Sequence, residues 1–270
     1  MTKFWKYEGL GNDFIIPTTI SLPDSGTVNP LNSIDKAVLT RWSQLCDRRL
    51  SVGGDGVLLH YYTSDKKDFM YIINQDGTVA EMCGNGLRCM ALHLHLQSKR
   101  QDSEFTIETL AGSMRATVHS SGIRCQIGPA RIQSRMHVDV GSRRYHGFFV
   151  NTGNPHFVIF DHVSDEVRKK DAPLLSTHPE FPDGANISFA RLQADNITLR
   201  VYERGCGWTQ ACGTAAVATT AASWALQSTE SVPTTVHLPG GTLTISGTLT
   251  DMTMDGPARL TFEGQITDEH

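Results

Sequence analysis

The hydrophobic positions along this chain switch between two periods, and the switches mark its elements. Residues 3–8 and 13–20 read as strands on either side of a turn, Gly9-Leu-Gly-Asn-Asp13. The glycines of that turn admit backbone conformations that other residues avoid. Residues 21–32 form a polar loop rich in Ser, Pro, Asp, Gly and Asn. Helical spacing follows over 33–46, with Ile34, Ala37, Val38, Trp42 and Leu45 on one face and Ser33 as the cap. A glycine-dense loop over 47–56 leads to strands at 57–62 and 68–73. A helix is predicted over 84–97, then strands over 105–108 and 113–119 around an Ala-Gly turn.

Near Gly128-Pro129 the order begins again. Residues 143–151 read as a strand, and Gly153-Asn-Pro-His-Phe-Val-Ile-Phe160 echoes Gly11-Asn-Asp-Phe-Ile-Ile16. A short helix at 165–170 precedes a proline-punctuated loop to residue 182. Strands at 187–190 and 197–203 lead to a second long helix, 213–226, and strands at 236–238, 242–245 and 259–262 close the chain. Both halves thus run Gly-Asn turn, sheet, Cys-Gly, helix, the order expected of a pseudo-symmetric pair of domains. The expected fold class is α+β: two domains, residues 1–127 and 128–258, each a mainly antiparallel sheet wrapped around a long central helix.

Composition narrows the function classes. The chain has 270 residues, 39% hydrophobic and 19% charged, with a net charge of −4. That balance argues for no nucleic-acid partner and no anionic membrane surface. No apolar run approaches the roughly 18 residues of a membrane span, and residues 1–8 lack the apolar centre of a signal peptide. Six cysteines form no CxxC pair and no zinc-like spacing with histidine, so no metal is expected. Free thiols in a reducing cytoplasm are the expectation.

Two of those cysteines stand apart from the ordinary reading of a buried small hydrophobe. In residues 74–88 a strand, a polar turn and a Cys-Gly pair put Cys83 at a helix start, and residues 203–216 do the same for Cys212. The first turn of a helix leaves N–H groups unpaired and carries partial positive charge. A thiol there ionises more readily, and the same N–H groups suit a carboxylate. Gly84 and Gly213 remove the side chain that would block its approach. Two thiols in opposite protonation states can invert a stereocentre that bears hydrogen: one removes the proton from one face while the other supplies a proton to the opposite face. The expected partner is a small zwitterionic amino acid, and the sequence carries no phosphate loop, dinucleotide fingerprint or pyridoxal lysine, so no cofactor is expected.

The surrounding polar residues fit such a substrate. Asn12, Asn74, Asn154 and Asn186 sit at strand–turn junctions, where asparagine is also simply a good turn residue. Arg204 suits a second carboxylate and Glu203 an ammonium, although the two also read as a solvated charge pair at a strand end. His156 reads as a turn or core histidine, or as a group that tunes a thiol. His93 and His95 read as packing or surface. Three other readings stand beside epimerisation. One is a single-cysteine hydrolase with His156 as base, which leaves the second Cys-Gly helix unexplained. The others are a redox pair, for which CxxC is absent, and a binding module that needs neither thiol.

These residues resemble the diaminopimelate epimerase family, pyridoxal-independent enzymes that interconvert LL- and meso-diaminopimelate for lysine and peptidoglycan. The matching motifs are Gly-Leu-Gly-Asn-Asp-Phe (9–14), Asp-Arg-Arg with Gly-Gly-Asp-Gly (47–56), and the whole of 74–88. Gly-Asn-Pro-His (153–156), Phe-Pro-Asp-Gly-Ala-Asn-Ile-Ser-Phe (181–189) and 203–216 complete the set. The resemblance implies Cys83 and Cys212 as the acid and base. It implies Gly84, Asn85, Gly213 and Thr214 around the reacting carboxylate. Asn12, Asn74, Asn154, Asn186 and Arg204 would read the distal end, Glu203 would contact an ammonium, and His156 and Glu203 would assist thiol ionisation. It also implies an active site in the cleft between the halves, a last strand (259–270) returning to the first half, domain closure, and a homodimer. A racemase for another amino acid is the nearest alternative, because Trp208 and Ala215 depart from the usual pattern and residues 21–32 look long. An indole at 208 is expected near the cleft, where it narrows or seals it.

Overall fold

The computed structural model describes residues 2–18, 36–62, 67–97, 103–193 and 196–267. The loop expected at 21–32, and Ser33 and Ile34 of the first helix, lie outside them. The chain divides into two compact units, Met1–Cys125 with Pro257–His270, and Gln126–Gly256.

In the first unit β1 (Thr2–Gly9) and β2 (Asn12–Pro17) form a hairpin, followed by α1 (Lys36–Gln44), β3 (Gly56–Tyr62), β4 (Asp68–Asn74) and β5 (Val79–Ala80). Then come α2 (Gly84–Gln97), β6 (Glu104–Thr109), β7 (Gly112–His119) and β8 (Gly122–Gly128), whose last three residues belong to the second unit, and the chain's last strand, β18 (Arg259–Ile266), pairs antiparallel with β1. The pairings β2–β3 and β4–β6 are parallel and the hairpin pairings antiparallel. The sheet wraps α2, which touches β1, β2, β3, β4, β6, β7 and β18. Every residue of α2 from Gly84 to Ala91 is buried. Buried His93 hydrogen-bonds the Tyr7 hydroxyl through Nδ1 at 3.2 Å, so it is a packing histidine as expected. The other face of the sheet presents Phe4, Ile15, Val57, Leu59, Tyr71 and Ile73 to Leu39, Trp42 and Leu45. The expected helix face is corrected at Ala37, which is exposed, while Leu39 packs inward. Leu39 lies three residues before Trp42, one turn of the helix.

The second unit holds β9 (Arg131–Val140), β10 (Arg143–Asn151), β11 (Pro155–Ile159), α3 (Asp165–Ser176), β12 (Asn186–Gln193), β13 (Asn196–Glu203) and β14 (Gly207–Thr209). After α4 (Gly213–Gln227) come β15 (Thr234–Leu238), β16 (Gly241–Thr248) and β17 (Asp251–Gly256). Parallel pairings β11–β12 and β13–β15 sit among antiparallel ones. α4 is buried from Ala215 through Trp224, and its alanines let strands approach its backbone closely. Trp224 ends that stretch with its indole N–H shared between the Val232 carbonyl and the Thr234 hydroxyl. On the opposite face of the sheet, Ala172 and Leu175 of α3 pack with Phe157, Ile159, Phe181 and Ile187. α3 runs two turns beyond the expected 165–170, carrying Pro173 inside it, because its apolar contacts come after the polar stretch.

This is the expected α+β class, with two units each built on one long helix. Among the described residues no helix is long and apolar enough to cross a membrane. None of the six cysteines is joined in a disulfide.

Gly56 fixes the sheet edge nearest Asn12. It pairs with Phe14 on one side and Asn74 on the other. A Cβ there would meet the Ile73 carbonyl at 2.8 Å and the Phe14 ring at 3.5 Å. Backbone in mid-sheet cannot yield, so Gly56→Ala should destabilise the protein by about 1–3 kcal/mol. Urea unfolding checks this, and an unchanged midpoint would contradict the packing account.

Candidate active site

Three strand ends gather at one edge of the first unit: Asn12 opens β2, Gly56 opens β3, and Asn74 closes β4. The Gln75 N–H donates to the Asp55 carbonyl at 3.2 Å, tying that edge together. Cys83 stands at the start of α2, half-buried, and its carbonyl accepts the Leu87 N–H at 2.8 Å. Its sulfur accepts the Gly86 N–H at 3.4 Å, as a capping side chain does, and lies 3.8 Å from Asn12 Oδ1. Asn85 Nδ2 donates to the same Oδ1 at 3.4 Å. Asn12, Cys83 and Asn85 are therefore brought together. Asn74 sits beyond them in its own turn, where its Nδ2 donates to the Thr78 hydroxyl at 2.9 Å.

Behind Asn12 lies a charged group that the sequence marked only as part of a glycine loop. Asp55 accepts Asn12 Nδ2 at 2.7 Å and the Asp13 N–H at 3.0 Å. Arg48 grips Asp13 with both Nη atoms, at 3.0 and 2.6 Å, and reaches Asp55 at 3.0 Å. Buried Lys6 pairs with Asp13 at 2.8 Å and also donates to the Gly53 carbonyl. Although burial works against it, Asp13 is held down near pH 2 by its hydrogen bonds to Arg48 and Lys6. The signal for this network was present in the sequence as Asp-Arg-Arg followed by Gly-Gly-Asp-Gly, four charges in a segment too glycine-rich to be a helix.

In the second unit Cys212 is the N-cap of α4, extended at φ −134° and ψ 113°, and its sulfur lies 3.4 Å from the Thr214 hydroxyl. Its carbonyl accepts the Ala216 N–H at 3.1 Å. Burial pushes the Cys212 thiol well above its ordinary value, and the charge of neighbouring Glu203 adds to that. The Thr214 hydroxyl and the Ala215 N–H favour the thiolate but do not prevail. Burial also raises Glu203, against hydrogen bonds from Thr209 (2.6 Å) and Cys212. Carboxyl and thiol are therefore each driven towards the protonated form.

The His156 ring bonds a different group. Its Nε2 bonds Asn154 Oδ1 at 2.8 Å, and its buried Nδ1 has no hydrogen-bond partner among the described residues. Asn154 Oδ1 also accepts the Thr152 hydroxyl at 3.2 Å. Asn186, beside His156 across the β11–β12 pairing, donates to the Pro155 carbonyl and accepts the Arg204 N–H at 3.0 Å. The Arg204 guanidinium donates to the Asp183 carbonyl. Asn154, His156, Asn186 and Arg204 thus form one group, while Glu203 and Thr214 are the groups at Cys212.

Trp208 packs against its own unit. Its ring stacks on Phe189 (centroids 6.1 Å apart) and meets Tyr202 edge-on at 5.5 Å. Neighbouring Thr209, whose hydroxyl reaches Glu203, lies on the other face of the same strand pair. The indole and the Glu203 carboxylate therefore lie on opposite faces of that strand pair.

The fold is one that solved amino-acid racemases and epimerases share. A hydroxyproline epimerase from Agrobacterium vitis, with bound trans-4-OH-L-proline, superposes with a TM-score of 0.73 at 14% identity, covering 97% of this chain and 91% of that one. A probable proline racemase from Agrobacterium radiobacter K84 also gives 0.73 at 14%, covering 100% and 94%. At that identity the likeness defines the architecture alone. Sequence defines more. The family model for diaminopimelate epimerase matches residues 4–133 and 148–261. Proteins named diaminopimelate epimerase from Synechococcus sp. (strain JA-3-3Ab) and Desulforudis audaxviator (strain MP104C) are 36% and 35% identical over 97% of this chain, and over 97% and 98% of their own lengths. The chain belongs to the diaminopimelate epimerase family.

Two buried histidines give the chain an acid sensitivity. Burial pushes both His93 and His156 down to about pH 3, helped by His60 in the first case and Arg204 in the second. A depressed folded-state value means that their neutral forms are fully accommodated above the unfolded value. Stability is then lost as pH falls from about 6.5, by about 2 kcal/mol per histidine between pH 7 and pH 5. Urea titrations at the two pH values should show that loss, and His93→Gln should show about half of it. Equal wild-type stability at both pH values would overturn the assignment.

Proposed function

We propose that this chain epimerises LL-diaminopimelate to meso-diaminopimelate without a cofactor, Cys83 and Cys212 acting as the two proton-transfer groups. Family membership is the observation that carries the reading, and the two cysteine-headed helix starts supply its chemistry. One thiolate removes the α-proton while the opposing thiol delivers a proton to the other face, and the roles exchange in the reverse reaction. The α-proton is very weakly acidic, so charge developing on the carboxylate has to be met as the carbanion forms. First-turn N–H groups beside Gly84, Asn85, Gly213 and Thr214 suit that task. Asn12, Asn74, Asn154, Asn186 and Arg204 would hold the distal carboxylate and ammonium groups, with Glu203 available to an ammonium and to the Cys212 thiol. His156 is assigned a supporting role through Asn154. The same reading includes a cytoplasmic location and a homodimer.

The burial of Cys212 beside Glu203 supports its resting as a thiol, ready to donate. The glycines at both helix starts leave room for a carboxylate. Incubation with LL-diaminopimelate in D₂O under reducing conditions should place deuterium at one α-carbon and yield the meso isomer. Cys83→Ser and Cys212→Ser should each lower the rate by about 100- to 10,000-fold. No exchange with diaminopimelate, but exchange with another amino acid in a small panel, would reassign the substrate. Exchange that survives loss of both cysteines would overturn the mechanism.

A further inference from the structure

Asn12 and Asn85 form a short chain of amides beside Cys83, and each end of that chain is closed by a charged group of one hydrogen-bonding sense. Asp55 closes one end, accepting Asn12 Nδ2 at 2.7 Å. Arg88 closes the other, donating to Asn85 Oδ1 at 2.9 Å. Between them Asn85 Nδ2 donates to Asn12 Oδ1 at 3.4 Å. A carboxylate only accepts and a guanidinium only donates. Each amide therefore has one permitted orientation: turning over Asn12 would set oxygen against the Asp55 carboxylate, and turning over Asn85 would set N–H₂ against Arg88.

We propose that Asp55, with Arg88 at the far end, is a positioning residue that fixes the Asn12 amide so that its carbonyl oxygen faces the Cys83 sulfur. Both ends are anchored for this. The Arg88 side chain is fully buried, and its Nε and Nη1 donate to the Pro257 and Gly84 carbonyls at 3.0 and 3.4 Å. Asp55 is held by Arg48 at 3.0 Å and by the Asp13 N–H at 3.0 Å. The sulfur meets an acceptor, Asn12 Oδ1 at 3.8 Å, and a donor, the Gly86 N–H at 3.4 Å. The acceptor favours the thiol and aims its proton; the donor favours the thiolate. Released from Asp55, the Asn12 amide can turn and offer Nδ2 to the sulfur, which tilts Cys83 towards the thiolate. Arg88 and Cys89 of α2 also act on Cys83, and Glu8 of β1 and Cys125 of β8 lie near Arg88. All of them remain when Asp55 is replaced. The inference deepens the proposed reaction and rests on Cys83 being one of its proton-transfer groups.

The test reads Cys83 directly. The reduced full-length protein is alkylated with iodoacetamide at a series of pH values, and labelling of the Cys83 peptide is followed by mass spectrometry. Asp55→Ala should move the alkylation midpoint down by about half a pH unit or more. Asp55→Asn keeps an acceptor oxygen for Asn12 and should stay within about 0.2 unit of the wild type. Arg48→Ala, which removes charge behind Asp55 but leaves the Asn12 contact, should do likewise. If Asp55→Ala does not fold, Asp55→Ser, too short to reach Asn12, takes its place. In the deuterium assay Asp55→Ala should lower kcat about tenfold. An unshifted midpoint in the Ala or Ser variant, or an equal shift in the Asn variant, would overturn the inference. Absence of diaminopimelate exchange in the wild type would instead count against the reaction, and the alkylation profile would still decide the role of Asp55.

Discussion

The start of a buried helix is electrostatically unfinished: its first N–H groups have no partners inside the helix, and its dipole adds partial positive charge. Both units of this chain are built around such a start. α2 and α4 are buried from their first residues, so their opening turns meet protein rather than bulk water along most of their surface. A serine or aspartate at the cap would satisfy those groups fully. Here each cap is a cysteine, a weak acceptor, followed by a glycine with no side chain in the way. At Cys83 the sulfur takes one of these N–H groups, that of Gly86, and in the proposed reaction the field that remains at each helix start would meet the substrate carboxylate. The wrapped sheets then serve one end: they bury the helix so that its field acts in a poorly screened setting.

The two helix starts are alike in backbone and unlike in surroundings. Cys83 is half-buried, between the Gly86 N–H and a neutral amide whose orientation charged neighbours dictate. Cys212 is buried against Glu203; burial drives both groups towards the protonated state, and the Glu203 charge drives the thiol further. A reversible two-base reaction needs one thiol and one thiolate at any moment, so an asymmetric pair is better suited to it than an equal one. The asymmetry follows from which strand faces each helix start. β2 brings Asn12 to Cys83, whereas the β13–β14 turn brings Glu203 to Cys212.

Much of this was legible in the sequence because the informative segments are local. The Cys-Gly helix starts, the long apolar helices and the Gly-Asn turns are each specified within about fifteen residues. The strands that escaped notice lack that local signature. β9 buries only Val138 well along its length and reads as polar chain, while β5 and β14 are two and three residues long and exist only because β4 and β13 pair with them. β8 and β17 do alternate, with Ile123, Cys125 and Ile127 buried in one and Met252 and Met254 in the other, but over spans too short to stand out. Asp55 was hidden for another reason. Its partner, Asn12, is distant along the chain, and only the parallel pairing of β2 with β3 brings them together. Spacing could not say which group His156 meets, either, since its contact with Asn154 depends on the β10–β11 turn.

The Phe-Pro-Asp-Gly-Ala-Asn segment shows how a motif acquires a physical reason only in three dimensions. Gly184 has φ +70°, a conformation that disfavours side chains, and a Cβ there would meet Arg204 Cδ at 3.0 Å. The Arg204 side chain lies across this bare backbone, its guanidinium on the Asp183 carbonyl and its N–H on Asn186 Oδ1. The glycine is needed for Arg204, and Asn186 fixes the backbone from which Arg204 projects. Because Asn186 also pairs with His156 across β11–β12, the loop, the arginine and the histidine are positioned as one unit. In the proposed reaction these residues would hold the distal end of the substrate, so the selectivity of the second half would depend on how this loop sets Arg204 and Asn186.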